Sequence, residues 1–321
     1  MGIAKIKKVA VIGGGTMGPG IAHSFAQGEC EVCLCDISDE AIDRARSVVE
    51  VNLQTLVENH MLAASDVEGV KKRISYGTQP EEAVSRADLV VECITENLNL
   101  KGDLFRRLDE ICAEQTLFAS NTSYLNIFQV MPERRLSNTV IAHWFAPPHI
   151  IPLVEVVKGP ESSDATVEVV MEILKAMGKI PVLIERYVPG FAINRILRIL
   201  GRETFFLLDN GYITAEQLDL AVKASIAPRM MLLGLVQRYD FTGLDLSAKN
   251  LENPDYPEPP IDNRPRSLFD LVEKGHLGVK TRKGFFDYTD QPLEETLKQR
   301  DNYLLKILQS TDFCLKEKIG K

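Results

Sequence analysis

Residues 8–22 read Lys-Val-Ala-Val-Ile-Gly-Gly-Gly-Thr-Met-Gly-Pro-Gly-Ile-Ala. Val9–Ile12 is a short apolar run of the kind that forms a strand buried on both faces. Gly13, Gly15 and Gly18 then complete G-x-G-x-x-G, and an apolar stretch from Ile21 opens a helix. The three glycines serve different ends. Gly13 permits a tight turn, Gly15 lets backbone approach a pyrophosphate, and Gly18 lets helix pack closely on strand. Thr16 and Met17 lie between them and share the cofactor-binding assignment. The helix start offers free N–H groups and the positive end of its dipole to phosphate. A second strand, Glu31–Asp36, follows and ends in an acid. Asp36 lies 21 residues beyond Gly15, where a carboxylate bonds the ribose hydroxyls of a dinucleotide. No arginine follows at once to accept a 2′-phosphate, the next being Arg44, so the expected cofactor is NAD rather than NADP.

Outward from this unit, residues 5–12, 31–36, 74–77, 88–94, 116–120 and 139–144 read as strands separated by helical stretches, the longest Ala41 to His60. Leu153–Val157 and Pro181–Ile184 add two more. Alternating β and α units predict an α/β, Rossmann-type doubly wound parallel sheet. Beyond Glu185–Gly190 the pattern is helical: Phe191–Asp209, Thr214–Ser225, a stretch near 229–240, Ser267–Lys274 and a charge-rich amphipathic tail from Leu293 to Lys316. The expected domains are therefore 1–186, binding NAD, and 187–321, all-helical, for substrate and dimerisation. Residues 252–266 hold five prolines and read as a loop.

The chain has 321 residues, 45% hydrophobic and 26% charged, which suits a large core. Its net charge of −8 argues against nucleic-acid and anionic-membrane surfaces. No signal peptide and no apolar run of membrane length is present, so a cytoplasmic protein is expected. The six cysteines read as small core residues of a reducing compartment. No Cys/His spacing suggests zinc or another metal.

Four polar residues stand in apolar or cramped surroundings. His143 ends a strand, and Glu155 interrupts the apolar run of what reads as the neighbouring strand. Twelve positions separate them, with a proline turn between, so the side chains can meet. A carboxylate on one imidazole nitrogen fixes the tautomer and leaves the other as a general base. Ser123 lies on the rim of the crevice at the carboxyl ends of the strands, and Asn194 opens the first helix after the domain boundary. Taken alone each has a plain reading: a core histidine, a strand-edge charge, a cap for a helix starting near Leu125, a backbone-bonding amide.

Taken together, and in this order, the motifs resemble the L-3-hydroxyacyl-CoA dehydrogenase family, including its lambda-crystallin, L-gulonate dehydrogenase and carnitine dehydrogenase-like branches. The resemblance covers nearly the whole chain: Gly13–Ala22, Ala87–Phe105, Ala119–Ser123, His143 to Glu155, Pro189–Arg195 and Gly278–Phe286. It implies that His143 takes the hydroxyl proton, Glu155 orients it, and Ser123 and Asn194 hold the reacting oxygen. It also implies a Glu96–Arg195 pair across the cleft, cofactor-region roles for Lys101 and Lys280, a homodimer with Arg229 to Val236 buried in it, and a setting in fatty-acid metabolism.

Two departures bear on the substrate. The family's His-Phe-Phe-Asn-Pro is here His143-Trp144-Phe145-Ala146-Pro147. The stretch 47–70, which in the acyl-CoA enzymes supplies lysine to CoA, holds no Lys or Arg; Asn52 and Asn59 stand where the CoA contacts fall. Lys71, Lys72 and Arg73 can compensate only if their helix turns back toward the cleft. His149-Ile-Ile-Pro is closer to branches acting on free acids, and Arg229 and Arg238 are candidate partners for a substrate carboxylate. The leading expectation is NAD-dependent interconversion of a 3-hydroxyacyl substrate and its 3-keto form. A small free hydroxy acid is the alternative. A non-catalytic NAD(H)-binding relative is disfavoured by the intact His143 and Glu155, and a Ser-His-Glu hydrolase by the missing G-x-S-x-G elbow.

Overall fold

A computed structural model describes residues 6–255, 257–317 and 319. The start of the first expected strand and of the first domain, Tyr256 of the proline-rich stretch, and the last residues of the second domain lie outside this set. The chain divides into two compact units, Met1–Arg195 and Ile196–Lys321.

The first unit is built on an eight-stranded sheet: β1 Lys8–Ile12, β2 Glu31–Cys35, β3 Ile74–Gly77, β4 Leu89–Glu92, β5 Leu117–Ser120, β6 Thr139–Trp144, β7 Leu153–Lys158 and β8 Ile180–Ile184. Their spatial order is β3-β2-β1-β4-β5-β6-β7-β8. The order reverses between β1 and β4, the switch point at which open α/β sheets bind ligands. All neighbours run parallel except β6 and β7, which are antiparallel. This exception has a cause: the 144–153 connection is a tight proline turn, too short for a parallel crossover.

Helices α1 Gly18–Gln27, α2 Asp39–Glu58, α3 Val67–Lys72, α4 Pro80–Val84, α5 Leu98–Asp109 and α6 Asp164–Ala176 clothe the sheet. Alternation along the strands decides which face each covers. Val9, Val11, Leu34, Val91 and Val156 face Phe25 of α1, Leu53 of α2 and Leu174 of α6. Ala10, Ile12, Val90, Phe118 and Val157 face Leu104, Phe105 and Leu108 of α5. The strand expected over 88–94 closes at Glu92. Beyond it the Cys93 N–H still reaches Ile12 O, but the Ile94 N–H turns onto the Glu92 side chain.

Helix α7, Ile193–Asp209, carries the chain into the second unit, which holds α8 Ala215–Ala221, α9 Ala227–Leu233, α10 Gln237–Thr242, α11 Leu244–Leu251, α12 Arg266–Glu273 and α13 Leu293–Lys316. A π-helical turn over Val222–Ile226 joins α8 to α9. Among the described residues of this unit only Pro265 and Leu305 are buried. Leu197, Ile199, Leu232, Val236 and Phe241 are all exposed, Val236 at 82%.

Candidate active site

The glycine turn has the form a dinucleotide requires. Gly13 sits at φ +115°, where a Cβ would lie 2.6 Å from Cys93 O, and a Cβ on Gly18 would lie 1.8 Å from Gly13 O. Packing alone excludes side chains at both. At Gly15 a Cβ would meet nothing within 4 Å, so the fold leaves open space there for a ligand to approach backbone. Thr16 is exposed and Met17 half-buried. No side chain caps the first turn of α1, which leaves its N–H groups for phosphate. Asp36 is fixed at the end of β2: one carboxylate oxygen accepts from Gly14 N at 2.6 Å and the other from Ile37 N at 2.7 Å. Each oxygen keeps a lone pair for a ribose hydroxyl. These residues fit NAD: Gly15–Met17 backbone would hold the pyrophosphate and Asp36 the adenosine ribose.

The base is built by strand register. His143 of β6 stands directly opposite Glu155 of β7, so both side chains leave one face of the sheet. His143 Nδ1 is 2.9 Å from Glu155 Oε2, and the residues are 4% and 1% exposed. Glu155 Oε1 accepts the N–H groups of Ala192 and Ile193, each at 2.9 Å, at the start of α7. Burial pushes the Glu155 carboxyl up. Its bonds from His143, Ile193 and Ala192 outweigh burial and hold it below the usual carboxylate range. An ionised acceptor makes Nδ1 the donor and leaves Nε2 with a free lone pair. Phe145 and Phe191 flank the imidazole, with ring centroids at 4.5 and 5.3 Å. Phe191 is fully buried and holds φ +52°.

Ser123 and Asn194 meet: Asn194 Nδ2 donates to Ser123 O at 3.3 Å. The cap near Leu125 is supplied by Thr122, whose hydroxyl accepts Leu125 N, and not by Ser123. Asn121 accepts Trp144 N at 2.8 Å and so ties this loop to the end of β6. Glu96 accepts from the Thr122 hydroxyl at 2.6 Å and from Ser123 N at 2.7 Å. Arg195 donates to Pro189 O, and among the described residues no ion pair joins it to Glu96. Lys101 is 1% exposed, with its ammonium on Glu92, Glu96 and Ile94 O. Its ammonium is held within the protein by two hydrogen bonds and one ion pair. Lys280, in the second unit, is exposed on a short 3₁₀ turn.

The positions linked to CoA take other partners. Asn59 donates to Thr55 O. Lys71 pairs with Glu50 and Glu68. Lys72 and Arg73 line a groove with Lys8, Glu31 and Arg86. Lys8 and Glu31 begin β1 and β2, and Arg73 immediately precedes β3, so this groove is at the amino edge of a parallel sheet, opposite the glycine turn. Arg229 bonds Ser225, and Arg238 stacks on Tyr239.

A switch-point glycine turn and a carboxylate-oriented histidine define a dinucleotide-dependent oxidoreductase. Comparison with known proteins makes the class specific. The sequence profile of the 3-hydroxyacyl-CoA dehydrogenase NAD binding domain matches residues 8–187, and that of the C-terminal domain residues 190–288. The chain belongs to the 3-hydroxyacyl-CoA dehydrogenase family and is an NAD-dependent oxidoreductase acting on CH–OH groups. It is 33% identical over 312 residues to the 5-formyl-3-hydroxy-2-methylpyridine 4-carboxylate 5-dehydrogenase of Mesorhizobium japonicum, covering 94% of this chain and 97% of that one. A crystal structure of an enzyme of that activity, described as an NAD+ dependent dismutase, superimposes with a TM-score of 0.85 at 30% identity, covering 96% of this chain and 99% of that one. The 3-hydroxybutyryl-CoA dehydrogenase of Clostridioides difficile is 34% identical over 284 residues, covering 88% of this chain and 99% of its own. The (S)-3-hydroxybutyryl-CoA dehydrogenase structure from Ralstonia eutropha gives a TM-score of 0.70 at 30% identity, covering 89% and 100%.

Three parts of this site were not singled out from the sequence. Glu92 carries the same signal as Glu155, an acid interrupting an apolar run, and could have been found by it. Thr122 stands inside the Asn-Thr-Ser motif beside Ser123. The amides of Ala192 and Ile193 leave no trace in side-chain chemistry.

Proposed function

We propose that this protein interconverts a 3-hydroxy carbonyl substrate and its 3-keto form, and that the substrate is a small free acid rather than a CoA thioester. Bound NAD supplies a hydride acceptor at its nicotinamide. His143 Nε2 takes the hydroxyl proton as the carbinol carbon is oxidised and returns it in the reverse direction. Glu155 stabilises the imidazolium that forms, and Ser123 and Asn194 hold the reacting oxygen. The buried 2.9 Å His143–Glu155 bond carries the reaction class.

The absence of a CoA handle rests on α2, whose face exposes Glu50 and Glu58, and on Lys72 and Arg73, which stand at the opposite edge of the sheet. The closer superposition on a pyridine-carboxylate enzyme than on a hydroxybutyryl-CoA enzyme, 0.85 against 0.70, favours the same substrate class. Ala146 is exposed beside the base, where the family Asn would otherwise narrow the approach. NADH oxidation measured with free 3-keto acids and with their CoA esters tests this. Turnover of a free acid at a rate comparable to its ester is expected; turnover of the ester alone would refute it.

A homodimer completes the reading. A helical unit that buries Pro265 and Leu305 alone among its described residues leaves its apolar stripes open, and a second copy would cover them. No helix among the described residues is long and apolar enough to cross a membrane, and none of the six cysteines is in a disulfide, which suits a reducing cytoplasm.

A further inference from the structure

Glu92 is the last residue of β4, in register with Ile12 of β1 and Ser120 of β5, and so lies at the switch point itself. It is fully buried. One carboxylate oxygen accepts from Lys101 Nζ at 2.6 Å and from Ile94 N at 2.7 Å; the other accepts from Ser120 Oγ at 2.5 Å. Lys101 reaches on to Glu96 at 3.3 Å. Glu96 holds the Thr122 hydroxyl and Ser123 N, and Ser123 O receives Asn194. One buried cation is thus shared between two carboxylates, one fully buried and one 28% exposed at its side chain. A continuous polar chain runs from the switch point to both residues assigned to the reacting oxygen. Burial pushes the Glu92 carboxyl above its usual range, against the pull of Lys101 and of the bonds from Lys101, Ser120 and Ile94.

A buried Lys–Glu pair is a poor source of net stability, since desolvation offsets much of the attraction. Its value here is geometric. With Lys101 held by Glu92 and Ile94 O, its ion pair places Glu96 where that carboxylate also accepts from the Thr122 hydroxyl and Ser123 N. We propose that Glu92 is a positioning residue for the reaction: by fixing Lys101 it fixes Glu96, and through Glu96 the Asn-Thr-Ser loop that presents Ser123 to the substrate. Glu92 is fully buried and acts through Lys101 rather than on a ligand directly. Its effect on turnover rests on the hydride transfer proposed above; its effect on the loop does not.

Glu92→Gln, Lys101→Met and the double variant test this by deuterium exchange over residues 119–126, NADH binding by fluorescence, and NADH-linked turnover. Each single variant should speed exchange of the Ser123 and Leu125 amides by ~10-fold or more, with β1 unchanged. The double variant should exceed neither, because both changes cut one chain. Where turnover is measurable, Glu92→Gln should lower kcat ~10-fold or more while its NADH dissociation constant stays within about 3-fold, since the glycine turn and Asp36 are untouched. Unaltered exchange at Ser123 and Leu125, or additive effects in the double variant, would overturn the proposal. Glu92→Gln leaves a buried ammonium with one carboxylate; should it fail to fold, Lys101→Met against the double variant decides the matter, further loss in the double overturning it. A parent protein inactive on every 3-keto acid would remove the proposed substrate, and the exchange result would still decide the role of Glu92.

Discussion

His143 can act as a base because Glu155 is ionised, and Glu155 is ionised because three donors reach a carboxylate that burial alone would neutralise. His143→Ala should therefore lower turnover by ~10²–10⁴ with the NADH dissociation constant nearly unchanged, since its hydrogen bond and ring contacts are with Glu155, Phe145 and Phe191. Activity within a few-fold of the parent would contradict the assignment. The same bonds carry a pH signature. A carboxyl held below its ordinary value stabilises the fold above about pH 4.5, and that stability is lost as the pH falls through the lowered folded value. Asp36 is the second residue whose role is readable in isolation. Asp36→Ala should weaken the preference for NADH over NADPH, measured as the ratio of kcat/KM values. A parent protein that prefers NADPH would contradict the placement of its ribose contact.

Helix α1 starts at the glycine turn and buries a histidine further along. His23 is completely buried, with the Gln27 side chain beside its ring. Its ring stacks on His149 at 5.7 Å. Lys179 caps Pro148 O and Ile151 O from the face of Trp144. Burial first and the Lys179 charge second lower His23 from 6.5 to about 4. The unfolded chain thus binds more protons between those values, so stability rises with pH across the window and falls as pH drops from 6.5 toward 4. Integrated, the term is about 3 kcal/mol. Urea unfolding at pH 7 and pH 4.5 should show the parent losing about 2–3 kcal/mol more than His23→Leu; equal losses would show that His23 does not titrate on unfolding.

The strands were the legible elements. All eight lie within a few residues of the runs read for them, most sharply β1, β4 and β6, since a strand buried on both faces writes itself as an apolar segment. The helices past residue 210 were less so: α11 and the π-helical turn at 222–226 leave short patterns that periodicity does not separate. In the site, His143, Glu155 and Asp36 were readable because each is polar at the end of, or within, an apolar run. The burial of Lys101 was not, since it depends on α5 folding back over β4, a long-range event with no local trace. Phe191 at positive φ, with no glycine to announce it, was equally silent.

For the whole molecule, the open apolar stripes of the second unit predict association. Ultracentrifugation should give a dimer, and Leu232→Glu paired with Val236→Glu should shift it toward monomer; a parent that is monomeric at micromolar concentration would contradict this. The substrate is the larger question at this scale. CoA phosphates need cationic or hydrogen-bonding partners. Here 47–70 holds no Lys or Arg, Lys71 is paired with two acids, and Lys72 and Arg73 face the amino edge of the sheet. The direct measurement is kcat/KM for acetoacetyl-CoA against acetoacetyl-pantetheine and free acetoacetate, with NADH. A free-acid enzyme should gain less than ~10-fold from CoA over the truncated thioester. A preference of ~10³ or more for the full ester, roughly 4 kcal/mol of handle binding, would show that the substrate carries CoA after all.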